Sequence, residues 1–299
     1  MRIHSKGRAI AALLIAALAV LALSASAQAK LTGAYTRFAN CPYKNTEVKK
    51  CILSVTESGE IVLGSKKVPI VNPVTLQGGV GAINEETFAG KMFAATNGVT
   101  LSKTPQPVPG GLAGIVNCKE ISEPFLKFAC ELTFENGLTG LNSTLELARP
   151  VSEVLVSESN LAGEEGVALK MPVKFHLENP FLGSNCYVGS SSNPVIWNLT
   201  TGTTAPPAPN SPISGAGGEG TLLEGGRIIE LKNSKQVDNA WSAPGASGCG
   251  GFLVELVLDP IINAASGLPA AAGHNSAILK GTVSSSAAVS VKKNDEEHP

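Results

Sequence analysis

Apolar and polar residues alternate most strictly over 170–178, KMPVKFHLE. Met171, Val173, Phe175 and Leu177 interleave with Lys170, Lys174, His176 and Glu178. In an extended backbone that pattern gives one face to a core and the other to water. PVIWNLT at 194–200 repeats it with Val195, Trp197 and Leu199, and CILSVTE at 51–57 with Cys51, Leu53 and Val55. Helical signals are few. KEISEPFLKF at 119–128 reads as one short helix interrupted by Pro124. DPIINAAS at 259–266 reads as another, with Asp259 as N-cap, Pro260 at the first helical position and Gly267 as the stop. Short apolar runs punctuated by Gly, Pro, Ser and Thr are the texture of an all-β protein.

SKTPQPVPGG at 102–111 and APPAPNSPISGAGG at 205–218 are too rich in Pro and Gly for central strands. Between and around them five short blocks recur in the same order. VTES at 55–58 matches VSES at 156–159, and KVPI at 67–70 matches KMPV at 170–173. Asn72-Pro73 matches Asn179-Pro180, the Thr/Pro series from Thr100 to Pro109 matches Thr200 to Pro209, and GLNSTL at 140–145 matches GHNSAI at 273–278. An internal duplication is expected from that order. It implies two tandem β-sandwich or barrel-like units, residues 30–150 and 151–292, followed by a disordered charged tail at 293–299.

The first 29 residues have a different pattern. Arg2, Lys6 and Arg8 precede an unbroken apolar run at 9–23, and Ala27-Gln28-Ala29 supplies small residues at a cleavage position. This reads as a signal peptide, with an apolar run shorter than the roughly 20 residues a spanning helix needs. A mature chain starting at Lys30 would be secreted, with no membrane span. The later run FLVELVLDPII at 252–262 is interrupted by Glu255, Asp259 and Pro260.

Composition then narrows the chemistry. Of 23 basic and 24 acidic residues the leader removes three basic ones, leaving an excess of four negative charges and three arginines, Arg37, Arg149 and Arg227. Phosphate backbones are held by Arg and Lys clusters, so nucleic acid is not an expected partner. All six cysteines, Cys41, Cys51, Cys118, Cys130, Cys186 and Cys249, lie in the exported part. An even count in an oxidising compartment reads as disulfides. The number of cysteines alone does not choose among the fifteen possible pairings. Spacing suggests 41–51, 118–130 and 186–249. Zinc is disfavoured because no C-x-x-C or close His pair occurs.

Candidate chemistry is sparse. GAGGEG at 215–220 fits G-x-G-x-x-G formally, but a proline-rich loop precedes it and an extended segment follows. A dinucleotide loop needs a strand before it and a helix after it. No cofactor is expected. His176 falls on the solvent face of its strand, and His298 in the tail. His274, between a turn and a strand, is the histidine considered for a site. No G-x-S-x-G elbow is present. The acid pairs Glu85-Glu86 and Glu164-Glu165 read as solvated turn charges, since adjacent strand residues face opposite ways. Trp197 reads as core. Trp241, in a loop beside Cys249, is the candidate exposed ligand contact, with packing against the disulfide as its alternative. Asn142 and Asn198 lie in N-x-S/T sequons.

The segments KTPQPVPGGL, HLENPFLGSNCYVGSSSNPVIWNLTTGT, DNAWSAP, GCGG and GLPAAAGHNSAIL resemble a family of exported proteins from high-GC soil actinobacteria. The resemblance implies a bacterial, secreted product and carries no activity. The leading expectation is an exported, non-enzymatic binding or structural protein whose partner is a cell-envelope polymer or protein. Its rivals are a secreted glycan hydrolase with two carboxylates about 5–10 Å apart and a carrier of a small apolar ligand.

Overall fold

A computed structural model describes residues 31–298 apart from 83, 85, 87–88, 113–121, 125–126, 128–139 and 252–253. Fourteen strands make one sheet, and every ladder among the described residues is antiparallel. The three alternating segments are strands: β1 (Val48–Leu63), β8 (Leu169–Glu178) and β10 (Val195–Leu199). The strands between are β2 (Lys66–Ile70), β3 (Val74–Gly81), β4 (Gly90–Phe93), β5 (Pro105–Pro107), β6 (Asn142–Leu147), β7 (Leu155–Val156) and β9 (Tyr187–Val188). After them come β11 (Glu219–Leu223), β12 (Ile228–Asp238), β13 (Ala246–Ser247) and β14 (Ser276–Ala287).

Pairing crosses the expected boundary at residue 150. β1 runs beside β14 from Lys50↔Ala287 to Val62↔Ser276, β4 pairs with β7, and β6 with β8. The two expected units therefore share one sheet in place of folding side by side. That sheet returns on itself through β1–β14–β12 and β10–β8–β7–β4–β3–β1. The seam between β12 and β10 is the Thr200↔Val237 bridge, with N–H···O bonds of 2.9 and 2.8 Å.

A ring of about eight strands has an interior just wide enough for side chains to fill. The inward residues do so: Ile52, Ile61, Met171, Val173, Phe175, Val195, Trp197, Leu199 and Leu279 are all buried in one core. Trp241 joins them. It is 4% exposed, its ring centroid is 6.1 Å from Trp197 and 6.4 Å from Phe175, and its Nε1 donates to the Asp238 carbonyl at 3.3 Å. The exposed contact that its loop position suggested is therefore replaced by core packing. Outside the ring a smaller cluster covers β1, β12 and β14. It comprises Tyr35 and Phe38 from the 3₁₀ segment Gly33–Phe38, Ile228, Val291 and the Cys41–Cys51 disulfide.

Three helices are described. α1 (Glu158–Gly163) is capped by Ser157, whose side chain accepts from the Asn160 N–H. α2 (Glu255–Ser266) starts four residues before the expected Asp259 cap and stops at Gly267 as expected, in the left-handed conformation with φ 64°. Asp259 instead accepts from the Gly248 and Cys249 N–H groups at 3.0 and 2.8 Å, tying the helix to the Cys186–Cys249 disulfide. Pro260 sits inside α2 and has no N–H to give the Leu256 carbonyl, which belongs to a residue 76% exposed to water. α3 (Ala288–Glu297) corrects the tail: the charged end is helical through Glu297, Asn294 accepts from the Thr32 N–H at 2.9 Å, and Asp295 pairs with Lys44 at 3.1 Å. The helix expected at 119–128 and the Cys118–Cys130 pair lie largely or wholly outside the described residues.

Candidate functional site

The same alternation that fills the ring places Lys170, Pro172, Lys174, His176 and Glu178 on the outer face of β8. Its neighbours add side chains by register. Glu146 stands opposite Lys174, Thr144 opposite His176, and Tyr187 opposite His176 from the other edge. At this end of β8 the groups close on each other. His176 stacks on Tyr187 with centroids 4.4 Å apart, and Lys174 Nζ lies 3.8 Å from the same ring centroid. His176 Nδ1 is 3.3 Å from Glu178 Oε1 and 3.9 Å from Glu146 Oε1, and Thr144 Oγ1 donates to Glu178 Oε2 at 2.9 Å.

Two carboxylates thus flank one imidazole, which is the nearest approach to the arrangement a hydrolase would need. Their electrostatics differ from that chemistry. Burial pushes the Glu146 carboxyl up. Lys103 at 3.1 Å and Lys174 at 3.4 Å outweigh it and hold Glu146 below the usual carboxylate range. A general acid needs the opposite shift. The two ammonium groups also oppose a cation, and no group among the described residues is arranged to hold a metal ion.

At the other end of β8 the outer face opens into a groove of about 740 Å³. Its cations are Lys91, Arg149 and Lys170, and its floor is Leu155, Pro172 and Ile196. Glu153, the one carboxylate lining it among the described residues, accepts from Arg149 Nη1 at 3.2 Å, and Arg149 Nε donates to the Ser191 carbonyl at 3.1 Å. Among the described residues Lys91 and Lys170 have no carboxylate partner. Inside the ring, beside Ile61, Val68 and Phe175, the apolar cavity amounts to about 40 Å³, room for a water or two and well short of the several hundred Å³ of a ligand pocket.

The other candidates from the sequence do not converge here. His274 is exposed in the turn before β14. Its buried neighbour Asn275 is the structural centre of that turn. Asn275 Nδ2 donates to the Trp241 and Ala271 carbonyls at 3.0 and 3.1 Å, and Oδ1 accepts from the Gly64 N–H at 2.9 Å. Glu164 anchors a loop by accepting from the Gly217 N–H at 2.7 Å, Glu86 is exposed, and Glu85 is outside the described residues. The Cys41–Cys51 and Cys186–Cys249 pairs form as spacing suggested. The outer face of β8 was missed because Lys, His and Glu at alternate positions read as solvated. The signal was that Lys91 and Arg149 converge on it only after folding. No helix among the described residues is long and apolar enough to cross a membrane. The chain matches no protein-family model, no curated protein and no solved structure.

Proposed function

We propose that this protein is an exported, non-enzymatic binding module of the bacterial cell exterior, and that it takes its ligand in the groove beside β8. The groove carries the reading. It is open, it has an apolar floor, and it holds two ammonium groups that form no ion pair among the described residues. Export rests on the leader pattern, and the two disulfides fit an oxidising compartment. The carrier reading loses to the small volume of the inner cavity, and the hydrolase reading to the two lysines on Glu146. The recurring blocks fit a duplication whose halves came to share one sheet, since 67–70 and 170–173 both lie on strands followed by Asn-Pro.

The test is co-sedimentation of the mature chain, residues 30–299, with insoluble cell-envelope material, with soluble sugar release assayed in the supernatant. Saturable retention without release supports a binding module. Release of soluble fragments would replace it with the hydrolase, and absence of retention on every fraction would sink it.

A further inference from the structure

Resting on that reading, we infer that the groove binds a linear glycan bearing carboxylates. Its charged groups sit on Lys91 and Lys170, and its sugar rings lie on Leu155, Pro172 and Ile196.

Register supplies the argument. Lys91 of β4 stands opposite Leu155 of β7, Leu155 opposite Lys170 of β8, and Lys170 opposite Asn198 of β10. Directly opposed residues share a face, so four neighbouring strands present one row across the sheet: cation, aliphatic, cation, amide. Adjacent strands are about 4.8 Å apart, which puts the two lysines of the row about 10 Å from each other. An extended chain whose charges recur at a comparable spacing meets both without the two side chains bending together.

The next row is Ile196 opposite Pro172, and Pro194 also lines the groove. Those side chains are flat or aliphatic and carry no donor, so they suit the C–H face of a pyranose ring. Ser192 and Asn193 at the rim offer hydroxyl and amide groups to sugar hydroxyls. Lysine meets carboxylate and phosphate alike as a point charge; the apolar floor, which a polyphosphate would leave uncovered, favours a chain of carboxylated sugar rings. The one arginine here is already held by Glu153 and the Ser191 carbonyl. The cations face outward on a mature chain that is acidic overall, so a polyanion is drawn to this face in particular.

Affinity electrophoresis of residues 30–299 in gels containing polygalacturonate tests this, with fully methyl-esterified polygalacturonate, dextran and polyphosphate as comparison gels. The expected result is retardation by polygalacturonate alone. Lys91→Glu and Lys170→Glu should each weaken it about tenfold, and Lys280→Glu, an exposed change on β14, which β1 and β3 separate from β4, should leave it intact. Circular dichroism checks that each variant folds. Equal retardation by the methyl ester or by polyphosphate overturns the carboxylated glycan. So does binding that ignores both lysine reversals. Retention on envelope material without polygalacturonate binding overturns this assignment while the binding-module reading stands; loss of both removes the two together.

Discussion

At the scale of single residues, the side chains that matter most are polar ones whose partners are far away in sequence. Asn275 is fully buried and joins the β1–β2 turn at Gly64 to the carbonyls of Trp241 and Ala271. Truncation to Ala leaves the Gly64 N–H and the Trp241 carbonyl without this partner, each costing about 1–3 kcal/mol, while the Ala271 carbonyl keeps the His274 N–H at 3.3 Å. Asn275→Ala should therefore lower the urea unfolding free energy by about 3 kcal/mol or more, while His274→Ala, exposed next door, should leave it within about 0.5 kcal/mol. Ionisable residues add a pH dependence. Glu146 is held low by Lys103 and Lys174 against its burial, and Glu230 is held low chiefly by its hydrogen bond from Arg37. A depressed folded value means that each group stabilises the fold above the unfolded carboxyl value of about 4.3. That stabilisation is lost as pH falls below it toward the folded value. Glu146→Gln or Glu230→Gln should each flatten the acid limb of a stability–pH curve below about pH 5, with little change in its shape above pH 6.

At the scale of elements, β8 shows what alternation tells and what it leaves out. Period two fixes which residues face the ring and which face out, and β1, β8 and β10 were legible for that reason. What the outer residues meet is decided by strands from 11 positions away (Tyr187 to His176) to 79 (Lys91 to Lys170), because Glu146, Tyr187 and Lys91 reach β8 only through register. The outer set therefore looked like solvent. α2 failed in a different way. LVELVL carries an apolar pattern that fits strand or helix over so short a span, so the proline signal placed the start too late. Glycines mark where elements bend. β1 has an irregularity between Thr56 and Ser58, and Gly59 follows it at φ 132°, a conformation that disfavours side chains. A Cβ there would stand 1.9 Å from the Ile278 carbonyl oxygen. Gly59→Ala should separate β1 from β14 locally. Faster amide exchange confined to residues 55–61 and 277–281 would show it; exchange unchanged there would mean that the strand absorbs the methyl group.

At the scale of the whole molecule, the ring depends on contacts that close late in the chain. Its first long strand pairs with its last, and one bridge at Thr200–Val237 joins β12 to β10. Neither feature has a local signature, which is why blocks repeated along the sequence suggested two units where pairing makes one sheet. Late closure also ranks the two described disulfides. Cys41–Cys51 spans 10 residues, and Cys186–Cys249 spans 63. If cross-links act mainly by restricting the unfolded chain, the short one contributes about 3 kcal/mol and the long one about 4 kcal/mol. The long one has a second effect that the short one lacks. It is buried in the main core beside the loop that Asp259 holds, so β9, β13 and α2 are all fixed through it. Cys186→Ser with Cys249→Ser should then lower the urea midpoint more than Cys41→Ser with Cys51→Ser, by a margin larger than the loop lengths alone give. Equal midpoints in the two double variants would mean that the inner core holds β9 and α2 without help from sulfur.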